Sequence, residues 1–134
     1  MNALEAQLDY PFGDTIPVPG AVHDVMPGLR WARMPLPFAL DHINVWLLDD
    51  ELEERRGWSL VDTGAGTDAT RAAWEQVVAQ GLNGRPLLRL IATHCHPDHV
   101  GLSGWLCGRF GAPIWPTTGE FAGRCRDLRE DVAA

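Results

Sequence analysis

The stretch "THCHPDHVG", residues Thr93–Gly101, holds three of the five histidines of the chain and one aspartate within six positions. His94 and His96 lie two residues apart, where an apolar strand is expected to end. In extended backbone, residues at this spacing point to the same side, so their imidazoles can meet. Pro97 stops the strand and is compatible with the first turn of a helix. The pattern therefore predicts a strand-to-helix junction with two imidazoles side by side.

The second half of the motif supplies a second pair of metal-ligand types. Asp98 and His99 stand at the expected helix start, and adjacent residues on a helix diverge by roughly 100°. They are therefore placed to reach a second ion beside the one held by the first pair. Two imidazoles, together with a carboxylate and an imidazole, suit Zn²⁺ first, with Fe or Mn as alternatives. We predict a site for one or two metal ions and exclude the isolated His23 and His42. The predicted ligands are His94, His96, Asp98 and His99.

Outside the motif, strands and helices follow one another in a mixed pattern. Apolar runs predict strands, and apolar residues spaced by three and four predict helices. The helix after Asp62 places Ala73, Trp74, Val77 and Val78 on one face, with Thr67 or Asp68 as its cap. We predict an α/β (α+β) fold with a mixed sheet and flanking helices, an irregular arm over residues 1–20 and one domain over 21–134. Predicted strands are 28–38, 42–50, 58–66, 85–94 and 112–118; predicted helices are 67–84, 97–111 and 119–134.

Composition and charge exclude several functional classes. The formal net charge of −7 argues against a nucleic-acid partner and against anionic lipid, since both select basic surfaces. The sequence has no long uncharged apolar run, and its first residues lack the features of a signal peptide. The three cysteines are odd in number and show no CxxC spacing, so reduced thiols are expected. These features predict a cytoplasmic protein without a membrane segment.

"THCHPDHVG" resembles the metal-binding signature of the metallo-β-lactamase superfamily. "LVDTGAG", residues 60–66, resembles the strand that precedes this signature in the family, and "HINVWLLDD", residues 42–50, resembles the strand before that. The resemblance implies an αββα sandwich with the metal site at one sheet edge. It assigns His94 and His96 to a first metal and Asp98 and His99 to a second. It also implies two catalytic candidates: Asp62 just behind the ligands and Asp98 as a proton shuttle.

The resemblance covers only the N-terminal half of the family pattern. The family site requires a further histidine, a bridging aspartate and a final histidine downstream, but this sequence has no histidine after His99. Asp127 and Asp131 match no motif of the family. A catalytic zinc normally has three protein ligands and one open position, so His94 and His96 leave the first site one ligand short. We expect a half-sandwich fragment that is inactive alone and needs a complementing C-terminal half or a homodimer.

The predicted function is therefore metal-dependent hydrolysis of a small-molecule ester, thioester, lactone or similar bond. One alternative is a non-catalytic half domain that binds a metal or a partner. A second alternative starts from Asp62, because "VDTGA" also resembles the catalytic loop of retropepsin-like aspartic proteases, in which two aspartates of a dimer share a proton. The amphipathic helix predicted after Asp62 disagrees with that fold. Asp62 could also be an ordinary turn residue.

Overall fold

The computed structural model describes residues 4–120, in which six strands form one mixed sheet in sequential order. Strands β1 to β4 pair antiparallel, and β4, β5 and β6 pair parallel. The predicted α/β fold with a mixed sheet is confirmed. The strands are β1 (Val22–Met26), β2 (Leu29–Pro35), β3 (His42–Leu52), β4 (Arg55–Val61), β5 (Leu87–Ala92) and β6 (Ile114–Pro116).

The helices lie in the connections of the sheet and at its start. Helix α1 (Asp68–Gln76) continues into a π-helical turn over Val77–Gly81, and a short 3-10 helix over Glu5–Gln7 precedes the sheet. The side chain of Thr67 accepts a hydrogen bond from the Thr70 amide at 3.2 Å, which makes Thr67 the cap of α1. The α-helices are α1 (Asp68–Gln76), α2 (Pro97–Val100), α3 (Ser103–Phe110) and α4 (Thr118–Glu120). Every helix within residues 4–120 is too short or too polar to cross a lipid bilayer.

One face of the sheet carries the hydrophobic core together with α1 and α3. Trp74 and Val77 of α1 and its π-helical turn are fully buried in the same cluster as Leu106 of α3. The indole Nε1 of Trp74 donates to the carbonyl of Thr63 at 2.7 Å, so the ring also fixes the turn after β4. The predicted apolar helix faces are confirmed. The strand residues of this core include Ala32, Met34, Ile43, Val45, Leu47, Leu60 and Leu90.

The opposite face of the sheet, which we call the open face, carries a row of aligned side chains across all six strands. Its members are cross-strand partners and are half-buried, except that Trp115 is 48% exposed. Phe12 of the N-terminal arm lies with its ring 6.1 Å from that of Trp31 and covers part of the row. The row consists of His23, Trp31, Trp46, Val61, Ile91 and Trp115.

The structure corrects three expectations about the elements. The helix predicted over 97–111 is two helices, because the Leu102 amide donates to the Gly64 carbonyl at 3.1 Å, outside the helical pattern. Strand β1 is absent from the predicted elements, since "VHDVM" mixes polar and apolar residues at the edge of the sheet. The charged segment 51–57 is mostly strand, and its turn is confined to Glu53 and Glu54, both at positive φ. The last predicted helix lies outside the described residues beyond Glu120.

Candidate metal centre

The predicted ligands lie at the carboxyl ends of the neighbouring parallel strands β4 and β5. Asp62 follows β4 directly, and Thr93 and His94 follow β5. The Asp62 amide donates to the Ile91 carbonyl at 2.9 Å and extends the parallel ladder by one residue. Ligand sites of open α/β sheets are found at this end of the strands. The topology therefore brings a carboxylate and a histidine-rich loop to one edge.

The three histidines of the motif form one cluster. The ring centres of His94 and His96 are 4.5 Å apart, and those of His94 and His99 are 4.0 Å apart. Asp98 approaches the same point, with its Oδ2 atom 3.6 Å from Nε2 of His99. The structure thus brings all four predicted ligands together, around the junction of β5 and α2.

Asp62 is buried, with 5% of its surface exposed, and its carboxylate is held by three donors. Oδ1 accepts from the Thr93 amide at 2.9 Å. Oδ2 accepts from the Thr93 hydroxyl at 2.7 Å and from Nδ1 of His99 at 2.8 Å. The backbone of Asp62 has φ of 60°, a left-handed conformation that aspartate tolerates better than most residues. A carboxylate oxygen only accepts, so Nδ1 of His99 carries its hydrogen and Nε2 is left to bind a ligand.

Helix α2 is fixed against the loop after β4 by backbone contacts. The amide and the hydroxyl of Thr63 both donate to the His99 carbonyl, at 2.7 and 2.9 Å. Gly101 packs on the backbone of Gly66, and a Cβ atom at Gly101 would lie 2.6 Å from the Gly66 nitrogen. Glycine at position 101 therefore permits this close backbone approach. These contacts place His99 over Asp62.

Two residues of the centre are missed by the sequence interpretation. Thr93 lies between Asp62 and His94, with its hydroxyl 3.0 Å from Nδ1 of His94. Glu120 accepts a hydrogen bond from the Cys95 amide at 3.0 Å and helps to line a pocket of about 190 Å³ with His94, Cys95 and His96. The sequence predicts a strand over 112–118, but only the fold shows that β6 is parallel to β5 and that its carboxyl end reaches the same edge of the sheet.

The donor set fits zinc in chemical type but is incomplete in number. Imidazole nitrogens and a carboxylate are ordinary zinc ligands, and the Asp62–His99 hydrogen bond resembles the carboxylate–histidine arrangement common behind metal ligands. Within residues 4–120, no group of three His, Cys, Asp or Glu side chains is arranged to hold one ion.

The remaining histidines and cysteines lie outside the proposed ligand set. His42 contacts Asp41 and Arg33, each at 2.6 Å, and His23 packs edge-on against Trp31. Cys95 is disulfide-bonded, so the expectation of reduced thiols does not hold for this residue, because an odd cysteine count does not exclude one bridge. Cys107 is a free thiol, and burial raises its pKa.

Comparisons with known proteins agree with this geometry. The family model described as "Metallo-beta-lactamase superfamily" matches residues 39–130. The chain is 34% identical over 71 residues to "Probable metallo-hydrolase YqjP" of Bacillus subtilis (strain 168), an alignment that covers 52% of this chain and 21% of that protein.

Two solved structures share both sequence and fold with the chain. A beta-lactamase domain protein from Burkholderia ambifaria is 53% identical, with a TM-score of 0.87, over 94% of this chain and 39% of that one. A metallo-beta-lactamase family protein from Thermus thermophilus is 35% identical, with a TM-score of 0.64, over 81% of this chain and 35% of that one. The chain therefore spans well under half the length of each of these relatives.

Proposed function

Because the chain belongs to the metallo-beta-lactamase superfamily, we propose that it forms the metal-binding half of a metal-dependent hydrolase that uses one or two zinc ions. The proposed ligands are His94, His96, Asp98 and His99. The observation that carries this proposal is the cluster of three imidazoles, of which His99 is oriented by the buried carboxylate of Asp62. Fe or Mn would be compatible with the same donor types.

The residues of the centre would have different tasks during hydrolysis. When bound, zinc supplies Lewis acidity, which polarises a substrate oxygen and lowers the pKa of bound water towards about 7. Asp62 accepts the Nδ1 hydrogen of His99 and so leaves Nε2 of that ring for a ligand. A carboxylate hydrogen-bonded behind a ligating imidazole fixes both its tautomer and its orientation.

We assign proton transfer to Asp98. Its side chain is about one-third exposed, and its Oδ2 atom lies 3.6 Å from Nε2 of His99. A carboxylate in this position can take a proton from the attacking water and deliver it to the leaving group. Asp62 is buried below the ligands with all three of its contacts inside the protein, so it positions His99 and takes no direct part in proton transfer.

The active site would be completed by structure that this chain does not supply. The chain spans 39% of the Burkholderia ambifaria relative, and the open face carries Trp31, Trp46 and Trp115, of which Trp115 is 48% exposed. We propose that a complementing C-terminal half covers this face and supplies the missing ligands. A homodimer is the alternative, and the 134-residue chain alone is expected to show no turnover.

One other function is compatible with the site, and a second disagrees with the fold. A non-catalytic half domain that binds a metal or a partner would use the same residues. It would differ from the hydrolase only in showing no turnover once the ligand set is complete. The retropepsin-like interpretation of Asp62 is wrong, because strand β4 leads into α1 and a parallel strand within a metallo-beta-lactamase fold. A small-molecule substrate and a cytoplasmic location remain proposals.

The test is a hydrolysis assay with thioester, lactone and phosphodiester substrates. It would compare the 134-residue chain with a chain extended by its downstream reading frame, each with and without a metal chelator. We expect turnover only in the extended chain, with loss on chelation and in its His96→Ala variant. Turnover that survives both treatments would contradict metal-dependent hydrolysis, and an inactive, zinc-loaded extended chain would favour the non-catalytic alternative.

A further inference from the structure

Thr93 stands between the buried carboxylate of Asp62 and the first histidine of the motif. Its hydroxyl oxygen lies 2.7 Å from Oδ2 of Asp62 and 3.0 Å from Nδ1 of His94. Its own amide donates to Oδ1 of Asp62 at 2.9 Å, so the backbone of Thr93 is fixed independently of its hydroxyl. The hydroxyl group therefore has two polar neighbours at hydrogen-bond distance.

The direction of these two hydrogen bonds follows from the number of hydrogens. A hydroxyl group has one hydrogen, and a carboxylate oxygen has none to offer. At 2.7 Å the Thr93 hydroxyl must donate to Asp62, because two bare oxygens at that distance would repel each other. The same oxygen can then only accept from His94, which places the hydrogen of that imidazole on Nδ1.

We infer that Thr93 relays the charge of Asp62 to His94, so that one buried carboxylate sets the tautomer of two histidines. His99 donates to Asp62 directly, and His94 does so through the Thr93 hydroxyl. In both rings Nε2 is then the atom left for a metal ion. The ring centres of these two histidines are 4.0 Å apart, which is close enough for the two oriented nitrogens to serve one centre.

This role differs from that of a metal ligand or a catalytic residue. Thr93 acts through His94, so it is a positioning residue. A Thr→Val change keeps the branched shape and removes only the hydroxyl, whereas Thr→Ser keeps the hydroxyl. The pair of variants therefore separates packing from hydrogen bonding at this position. The tautomer part of the inference needs no bound metal; only its effect on zinc affinity rests on the proposed function.

The experiment uses the metal-free chain at a pH of about 8.5, where an ordinary imidazole is neutral. Long-range ¹H–¹⁵N NMR spectra report which ring nitrogen of each histidine carries the hydrogen. We expect Nδ1–H for both His94 and His99 in the wild type and in Thr93→Ser. In Thr93→Val, His94 should shift towards Nε2–H while His99, which contacts Asp62 directly, should not change and serves as an internal control.

A zinc titration with a competing chelator completes the test, with His94→Ala/His96→Ala as the reference for loss of the centre. Loss of a partner behind a ligand lowers metal affinity by about 10–100-fold, so Thr93→Val should bind zinc about 10-fold more weakly and Thr93→Ser like the wild type. The relay would be overturned by an Nε2–H tautomer of His94 in the wild type, or by an unchanged His94 tautomer in Thr93→Val. If wild type and His94→Ala/His96→Ala bind zinc equally, the metal centre fails while the tautomer result still stands.

Discussion

The two ends of strands β4 and β5 differ in how their polar groups are used. At the amino end, the buried ring of Trp58 has the guanidinium groups of Arg30 and Arg85 at 4.7 and 4.6 Å from its centre. Arg30 pairs with Asp24 at 2.7 Å, and Arg85 pairs with Asp49 at 2.5 Å. Both guanidinium groups also donate to backbone carbonyls. At this end, the two arginine charges are balanced by two aspartates, and both guanidinium groups are hydrogen-bonded within the protein.

At the carboxyl end, hydrogen bonding orients side chains and leaves their outer atoms for a ligand. Asp62 accepts from Nδ1 of His99, so Nε2 of the same ring is left for a ligand. The pocket here is about 190 Å³, whereas the cavity at the amino end is about 500 Å³. The smaller cavity is lined by imidazole and carboxylate groups, so the proposed site rests on ligand chemistry and not on cavity size.

The largest effect is expected at the amino end and concerns stability. Trp58 is 3% exposed, donates to the Leu82 carbonyl at 3.0 Å and contacts both arginines. Trp58→Ala should lower the free energy of unfolding by about 3–5 kcal/mol, measured by urea denaturation. The matched control is Trp115→Ala on the open face, where the ring is 48% exposed and the expected loss is about 1 kcal/mol. Equal losses of unfolding free energy in Trp58→Ala and Trp115→Ala would contradict a special structural role of the amino end.

An intermediate effect is expected from Asp62→Asn at the carboxyl end. Asparagine also tolerates the left-handed backbone of this position, but its amide cannot accept all three hydrogen bonds. Zinc affinity should fall by about 10–100-fold in a chelator competition titration. Asp49→Asn at the amino end is the control and should leave zinc affinity unchanged. If Asp62→Asn and Asp49→Asn both bind zinc as tightly as the wild type, the carboxyl end does not orient zinc ligands and the contrast between the two ends fails.

The smallest effect is a pH dependence from Asp50, which pairs with Gly57 across the strands at the amino end. Hydrogen bonds from the Ser59 hydroxyl and then from the Arg89 guanidinium hold the pKa of Asp50 below its usual value. A lowered native pKa stabilises the fold above the unfolded pKa of about 3.9, and this stabilisation is lost as the pH falls through the native pKa.

Asp50→Asn should therefore lower stability at neutral pH and flatten its decline below pH of about 4, measured by urea denaturation across the acid range. Asp14→Asn in the exposed N-terminal arm is the control and should follow the wild-type curve. A decline in Asp50→Asn as steep as that of the wild type would show that this ion pair contributes nothing to acid sensitivity.

The sequence alone predicts those parts of the candidate site whose residues lie close together in the chain. His94 and His96 lie in one cluster, and Pro97 starts α2, as the motif predicts. Thr93 and Glu120 require the fold, since each acts on a residue supplied by another strand or loop. Their roles follow from the parallel pairing of β4, β5 and β6, which brings three strand ends to one edge.

The errors in the predicted elements have the same origin. The break between α2 and α3 arises because Gly101 packs on Gly66 and the Leu102 amide bonds to Gly64, contacts with a loop that is distant in the sequence. No local pattern of residues 97–111 contains that information. Strand β1 is likewise formed by pairing with β2, although its own residues alternate weakly.

The main proposal is that the carboxyl end of β4 and β5 holds a metal ion through the histidines of the motif. Its most direct test is the zinc content of the purified chain after dialysis, compared among wild type, His94→Ala/His96→Ala and His23→Ala/His42→Ala. The last variant removes the same number of imidazoles from outside the cluster. The wild type and the control should retain zinc equally, and His94→Ala/His96→Ala should lose it; equal zinc in all three proteins, whether high or near zero, would contradict the claim.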